Sequence, residues 1–420
     1  MSTNISECSQ YGMEVLYLDH NQLTGSIPES LIRLTKLRVL DLSSNRLISL
    51  IPESLRSLRI LEVLDLSSNQ LNGEIPISIG QLSKLNFLNV SSNHLEGIVF
   101  ESHFANLSML TYLDISLNSN LTLQVSREWI PPFQLTIIQL SSCNITVEFP
   151  LWLRTQTNLK MLVLSNTSIS GPLPTWFEHM PIIPHLDLSH NNLTGPLTNL
   201  PLGDGFQDEY RGSLILHNNL FNGSIPNSLC RRTALEVLDL SKNRLTGKIP
   251  TCLENLQKVR AMILSYNGFS GVIPSSIGRN SLLSWLHLND NNLSGELPPD
   301  MANLRDLWVL DLGNNQFSGK IPEWISELTK LMVLRLHKNN FAGRISPSMC
   351  KNACLQIFDV ACNNLNGSIP RCLGELSGMI DRDYCRHYFE EGLPESCPSN
   401  HHNKKQEQVN SNSSKDEGGS

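Results

Sequence analysis

Between Met13 and Gly378 the apolar residues recur in one order, L-x-x-L-x-L-S-x-N-x-L-x-G-x-I-P, which restarts about every 24 residues. The units begin at Met13, Leu37, Leu61, Leu85, Leu110, Leu135, Leu159, Ile183, Arg211, Leu235, Val259, Leu283, Leu307, Leu331 and Leu355. Leu61 to Lys84 and Leu235 to Lys258 are the cleanest copies. Within each unit the L-x-L core alternates apolar and polar positions, the period of a strand with one face buried. Such a strand cannot bury its leucines alone, so the units must stack on one another at the interstrand spacing of about 4.8 Å. Fifteen rungs then predict a parallel sheet roughly 70 Å along the stacking direction.

A fixed period with this leucine spacing predicts an α/β repeat architecture, a right-handed leucine-rich-repeat solenoid. Its parallel strands line the concave face, and its returns on the convex side are irregular or short helices. The ninth position is Asn in 13 of the 15 units, with Cys143 and Thr167 as the exceptions. An amide that both donates and accepts can satisfy backbone groups where the chain leaves the strand. Gly at position 13 permits a tight or left-handed bend, and Pro at position 16 suits the entry to a short helical return. The expected organisation is a residual segment over 1–12, fifteen repeats over 13–378, a Cys-containing segment over 379–397 and a disordered tail over 398–420. The longer unit 183–210 carries Gly203-Asp204-Gly205-Phe206-Gln207-Asp208-Glu209-Tyr210. Its acidic residues lack the spacing of a calcium loop, so it reads as a solvated loop and not a metal site. Only twelve residues precede the first full repeat, so the first two units are expected to fray.

Composition narrows the function. A net charge of −7 argues against a nucleic-acid face, which needs a basic stripe. No apolar run approaches the ~20 residues of a membrane span, and MSTNISECSQYG lacks the apolar core of an export signal. No nucleophile elbow, phosphate loop, zinc spacing or kinase signature occurs, so neither catalysis nor a cofactor or metal is expected. N-x-S/T sequons, including Asn106, Asn120, Asn144, Asn192, Asn222, Asn292 and Asn366, are candidates for glycosylation in a secreted chain. Cysteines carry more weight. Cys230 and Cys252 occupy positions 20 and 18 of consecutive units, and Cys350 and Cys372 repeat that relation. Matched positions on adjacent rungs lie within disulfide reach, which predicts two inter-rung bonds and an oxidising compartment. Cys385 and Cys397 are positioned to close the segment after the repeats. Cys8, Cys143, Cys354 and Cys362 have no partner visible in the sequence, and Cys143 reads as a buried thiol.

The wording L-x-G-x-I-P-x-x-L-G-x-L, with REWIPPFQL (127–135), SNTSISGPLPTWF (165–177) and SIPRCLGELSGM (368–379), resembles plant leucine-rich-repeat receptor-like proteins. The likeness is to the branch that includes the ethylene-inducing xylanase receptors. It implies a cell-surface or apoplastic recognition module for defence or development that signals through a partner receptor kinase. The family's export signal, paired N-terminal cap, acidic juxtamembrane stretch and membrane span have no counterpart here, so the chain reads as a truncated ectodomain.

A ligand should meet the variable positions 2, 3, 5, 7 and 8, which the alternation turns toward the concave face. Early units present only Asp and Ser there, as in Asp41-Leu42-Ser43-Ser44. Later units present Arg260, Tyr266, Trp285, His287, Asp290, Trp308, Asp311, Arg335, His337 and Lys338. Aromatic residues and Arg carry binding energy at interfaces, which makes these rungs the expected contact for a protein or peptide. Trp308 is expected to project from the sheet, an anchor whose removal costs binding and little stability. Two other readings remain open at this point. One is a soluble inhibitor of a microbial wall-degrading enzyme, similar to polygalacturonase inhibitors. The other is an ice-binding leucine-rich solenoid, which the Trp and His interruptions disfavour.

Overall fold

The computed structural model describes residues 12–145, 148–203, 212–381 and 385. The readings made for Cys8, the loop over 204–210, Cys397 and the tail lie outside these residues. Fifteen short strands, from Val15–Tyr17 to Ile357–Asp359, form one parallel sheet in strict sequence order. Register is kept rung by rung, with Leu40 beside Leu64 and Leu286 beside Leu310. This order needs a right-handed return between neighbours, as parallel crossovers do. Returns run through one-turn 3-10 helices such as Glu53–Ser57 and Ser275–Arg279, each preceded by an extended Pro. Proline at that point fixes φ and withholds no hydrogen bond that the short helix needs.

The leucines of all rungs merge into one core, with Leu64, Leu162, Leu238 and Leu310 fully buried. Phe221, Phe269, Phe317 and Phe341 add a file of buried rings in the later units. The first rung is more open, with Tyr17, Leu18 and Leu23 exposed.

The buried Asn file forms the joints. Asn291 Oδ1 accepts from Phe269 N at 3.0 Å, and its amide donates to Leu264 O, Leu288 O and Asn289 O. Asn69 makes the same four bonds to Leu47 N, Leu42 O, Leu66 O and Ser67 O. Each amide therefore ties two rungs together while satisfying the turn of its own. Both exceptions keep part of this role. Cys143 Sγ donates to Ile115 O of the preceding rung, and Thr167 Oγ1 donates to Leu164 O of its own. Burial pushes the Cys143 thiol up to about 12, as expected for an inert, enclosed cysteine.

Two features go beyond the sequence expectations. The L-x-G segments pair laterally into further parallel sheets on one flank, of six strands (Thr24–Gly25 to Asn144–Ile145) and nine strands (Ser170–Pro172 to Asn364–Leu365). No ladder joins the two sheets among the described residues. Secondly, position 8 is left-handed in every rung, from His20 (φ 51) to Cys362 (φ 56), although none of these residues is glycine. The twelve glycines of position 13 are left-handed as well, from Gly73 (φ 70) to Gly97 (φ 88), which explains their recurrence.

The matched cysteines are bonded. Cys230–Cys252 and Cys350–Cys372 each have Cα atoms 5.8 Å apart. The closure expected between Cys385 and Cys397 is overturned, because Cys385 is bonded to Cys354, with Cα atoms 5.7 Å apart. Cys385, beyond the helix Ser377–Ile380, is thereby held beside Cys354, Met332 and Val333 of the rung of Leu331. Linear position hid this pairing, since the two cysteines are 31 residues apart at unmatched sites.

Candidate binding surface

Concave position is set by the strand. Residues at positions 3 and 5 flank the buried central leucine, so their side chains leave the opposite face of the sheet. Positions 7 and 8 follow in the turn, where the left-handed residue swings its side chain along the rim.

Three rungs hold most of the residues singled out above. Trp285 and Trp308 meet edge to face, with ring centroids 5.2 Å apart and planes at 71°. They pack on Val237, Ala261 and Val309 in a cluster separate from the leucine core. At 9% and 5% exposure both are buried, so the expected freely projecting anchors are corrected. Alternation assigned the face and could not show that neighbours on the same face cover each ring. The tryptophans form a second apolar floor, with polar groups of graded burial around it.

Those polar groups are paired. Asp311 is buried, with Arg335 Nη1 3.4 Å from its Oδ2, and it also accepts from Gly313 N at 3.1 Å. On its other side in register Asp311 pairs with His287, and burial is the main cause holding the His287 imidazole below the usual value. His337 Nδ1 stands 3.1 Å from Asp359. Its ring lies over Gly313, where an added Cβ would come within 2.3 Å of Cε1. Asp290 accepts from Asn314 Nδ2 at 2.6 Å on the left-handed rim. Tyr266 is exposed on that rim, and the neighbouring Asp290 charge is the first cause pushing its phenol up. Lys242 sits 5.9 Å from the Tyr266 ring centre. Lys338 is exposed and Arg260 half-buried.

Sequence reasoning missed one group. His217 bridges two rungs, with Nδ1 3.2 Å from Asp239 and Nε2 2.9 Å from His190 Nε2. Asn218 Nδ2 completes the row 2.8 Å from His190 Nδ1. Burial opposes the Asp239 charge, yet His217 and Ser241 outweigh it and hold the carboxyl below its usual value. The signal was present as His at positions 8 and 7 of adjacent units, but the 28-residue unit between them obscured the phase.

A second concavity of about 630 Å³ opens on the flank where the outer sheets are interrupted, walled by Val125, Phe149, Trp152, Pro172 and Trp176. Arg127 and Glu148, 3.9 Å apart, stand at its edge. The sequons Asn106, Asn120, Asn144, Asn192, Asn222, Asn292 and Asn366 are all exposed, and Asn120, Asn144, Asn192 and Asn292 begin strands of this flank. Among the described residues no group of three or more His, Cys, Asp or Glu side chains could hold a metal, and no helix is long and apolar enough to cross a membrane.

Comparison with known proteins agrees with this architecture. Leucine rich repeat models match residues 35–95 and 133–193, a two-copy model matches 12–57, and a single-repeat model matches 234–256, 282–304 and 306–328. Receptor-like protein EIX2 of Solanum lycopersicum is 39% identical over 186 residues, covering 40% of this chain and 18% of that relative. Receptor-like protein EIX1 of the same plant is 52% identical over 66 residues, 16% of this chain and 6% of that protein. The match thus spans less than a fifth of these curated relatives. Among solved structures, the ectodomain of the Arabidopsis thaliana receptor kinase GASSHO1/SCHENGEN3, in complex with CASPARIAN STRIP INTEGRITY FACTOR 2, superposes with a TM-score of 0.73 at 34% identity. That match covers 84% of this chain and 45% of that one. The Arabidopsis receptor kinase HAESA, bound to the peptide hormone IDA and the co-receptor SERK1, gives 0.54 at 29% identity over 86% of this chain and 72% of that one. The chain belongs to the leucine-rich-repeat family, and its repeats are similar to those of plant receptor-like proteins.

Proposed function

We propose that this chain is an extracellular recognition module that holds an extended protein or peptide ligand on its concave face, between the rungs of Asp187 and Asp359. The observation that carries this reading is the change in concave surface along one unchanged scaffold. The rungs of Asp41 and Asp65 repeat Asp and Ser and the next two carry a stacked Phe87–Tyr112 pair, whereas later rungs carry a buried Trp pair edged by paired charges. Such a surface offers apolar area and oriented polar groups within one row, the composition of an interface centre with its rim. The exposed contacts are Tyr266 and Lys338, with half-buried Asp290, His287, Arg335 and His337 beside them and Trp285 and Trp308 as their support. Signalling would pass to a partner receptor kinase at the plasma membrane, in defence or development. The peptide and co-receptor bound to the similar HAESA ectodomain support this reading.

The test selects peptides from a random library on the immobilised chain and measures their affinity for variants. Tyr266→Ala and Arg335→Ala should each weaken the selected peptides tenfold or more, about 1.4 kcal/mol. Ser44→Ala, on an early rung, should leave affinity unchanged. Equal loss in all three variants, or none, would overturn the placement.

A further inference from the structure

Arg232 is a buried cation with no acid beside it among the described residues. It occupies the end of the return in the rung of Arg211, a place that Leu58, Leu82, Leu304 and Leu328 fill in other rungs. Only 3% of it is exposed. Nη2 donates to Pro201 O at 2.8 Å and Nη1 to Ile183 O at 3.3 Å, so the fork ties the first residue of the longer unit to its return segment. Carbonyl groups orient the guanidinium without neutralising it. Nε is enclosed and has no hydrogen-bond partner. Burial alone brings the Arg232 pKa down to about 10, which leaves it charged at neutral pH.

A cavity of about 10 Å³, room for the centre of one water-sized guest, adjoins this side chain. Ile182, Pro184, Gly212 and Leu235 form its other walls. The nearby backbone donors are already used, since Gly212 N bonds Ala234 O and Ser213 N bonds Pro184 O. Within this space the guanidinium is the group that calls for a partner. A buried charge without a counter-charge is costly, and the walls supply none.

We infer that this cavity binds one small monovalent anion of chloride size, held by the Arg232 guanidinium. Its chemistry suits such a guest: a fixed planar donor on one side and apolar walls that reject larger hydrated anions. Bound there, the anion neutralises Arg232 and locks the seam where the 28-residue unit departs and rejoins. This site is distinct from the concave face and independent of its reading.

The experiment measures the thermal midpoint of the full chain while sodium chloride or bromide replaces sodium fluoride at constant ionic strength. Linkage predicts a saturable rise of about 1–2 °C for the wild type, and Arg232→Met should abolish it. A flat wild-type response, or equal responses in both proteins, would overturn the site. If Arg232→Met fails to fold, crystals of the wild type grown in bromide decide the matter. An anomalous peak beside Arg232 Nε supports the proposal, and an ordered water or empty density there refutes it.

Discussion

The early and late concave faces are built on the same joints and differ only in what those joints display. Asn69 and Asn291 make equivalent bonds, yet the surface beside one is Asp65 and Ser67, and beside the other His287 and Asn289. The electrostatics separate accordingly. Burial raises Asp65 and Asp114 above the usual carboxylate range, and serine bonds only partly oppose it. Asp239 is also buried, yet His217 and Ser241 hold it below its usual value. A repeat can therefore change its surface chemistry without touching its scaffold, and the place where it does so marks the candidate site.

The largest effect should come from the floor of the late face. Trp308→Ala removes a buried ring that contacts Trp285, and should cost about 3 kcal/mol or more in urea unfolding. A cost below about 1 kcal/mol would show the ring to be a free anchor after all. Next, Asn69→Ala and Asn291→Ala should each cost about 2–3 kcal/mol, since each orphans a buried backbone donor and acceptors. Equal losses keep the scaffold common to both faces, and unequal ones break the comparison.

Acidification should then split the two faces. The His287 and His190 imidazoles lie below their unfolded value, chiefly through burial, so the unfolded chain binds protons first. Stability of the late rungs should fall as pH drops through about 6.5. Asp65 and Asp114 lie above their unfolded value, so early rungs lose stability as pH rises through the carboxylate range and regain it on acidification. Hydrogen exchange, corrected for intrinsic rates, should show Leu286 and Leu310 losing protection between pH 7 and 5 while Leu64 and Leu88 hold theirs. The smallest effect is local. Gly313→Ala should displace the His337 ring from Asp359 and cost about 1 kcal/mol, visible in a crystal structure as a rotated imidazole.

The solenoid was legible because leucine spacing and the Asn joint state it in nearly every rung. The bonds Cys230–Cys252 and Cys350–Cys372 were legible for the same reason, as matched positions on adjacent rungs. What stayed hidden depends on neighbours. Flank strands of two to six residues have no periodicity of their own, and the left-handed rim accepts Ser, Lys and Tyr alike. Burial of Trp308 needed Trp285 and Val309 around it, and the partner of Cys354 needed the chain to turn back.

The interruption in the flank sheets has a mechanical consequence. Every rung boundary from Val15 to Asp359 is laced by the main sheet, and most are laced again on the flank. Between Asn144–Ile145 and Ser170–Pro172 the described residues supply only the first lacing. The boundary from Cys230 to Cys252 is instead riveted by a covalent bond. A load pulling the solenoid end from end concentrates at the singly laced step, so the spring yields there first and the riveted rungs travel as one piece.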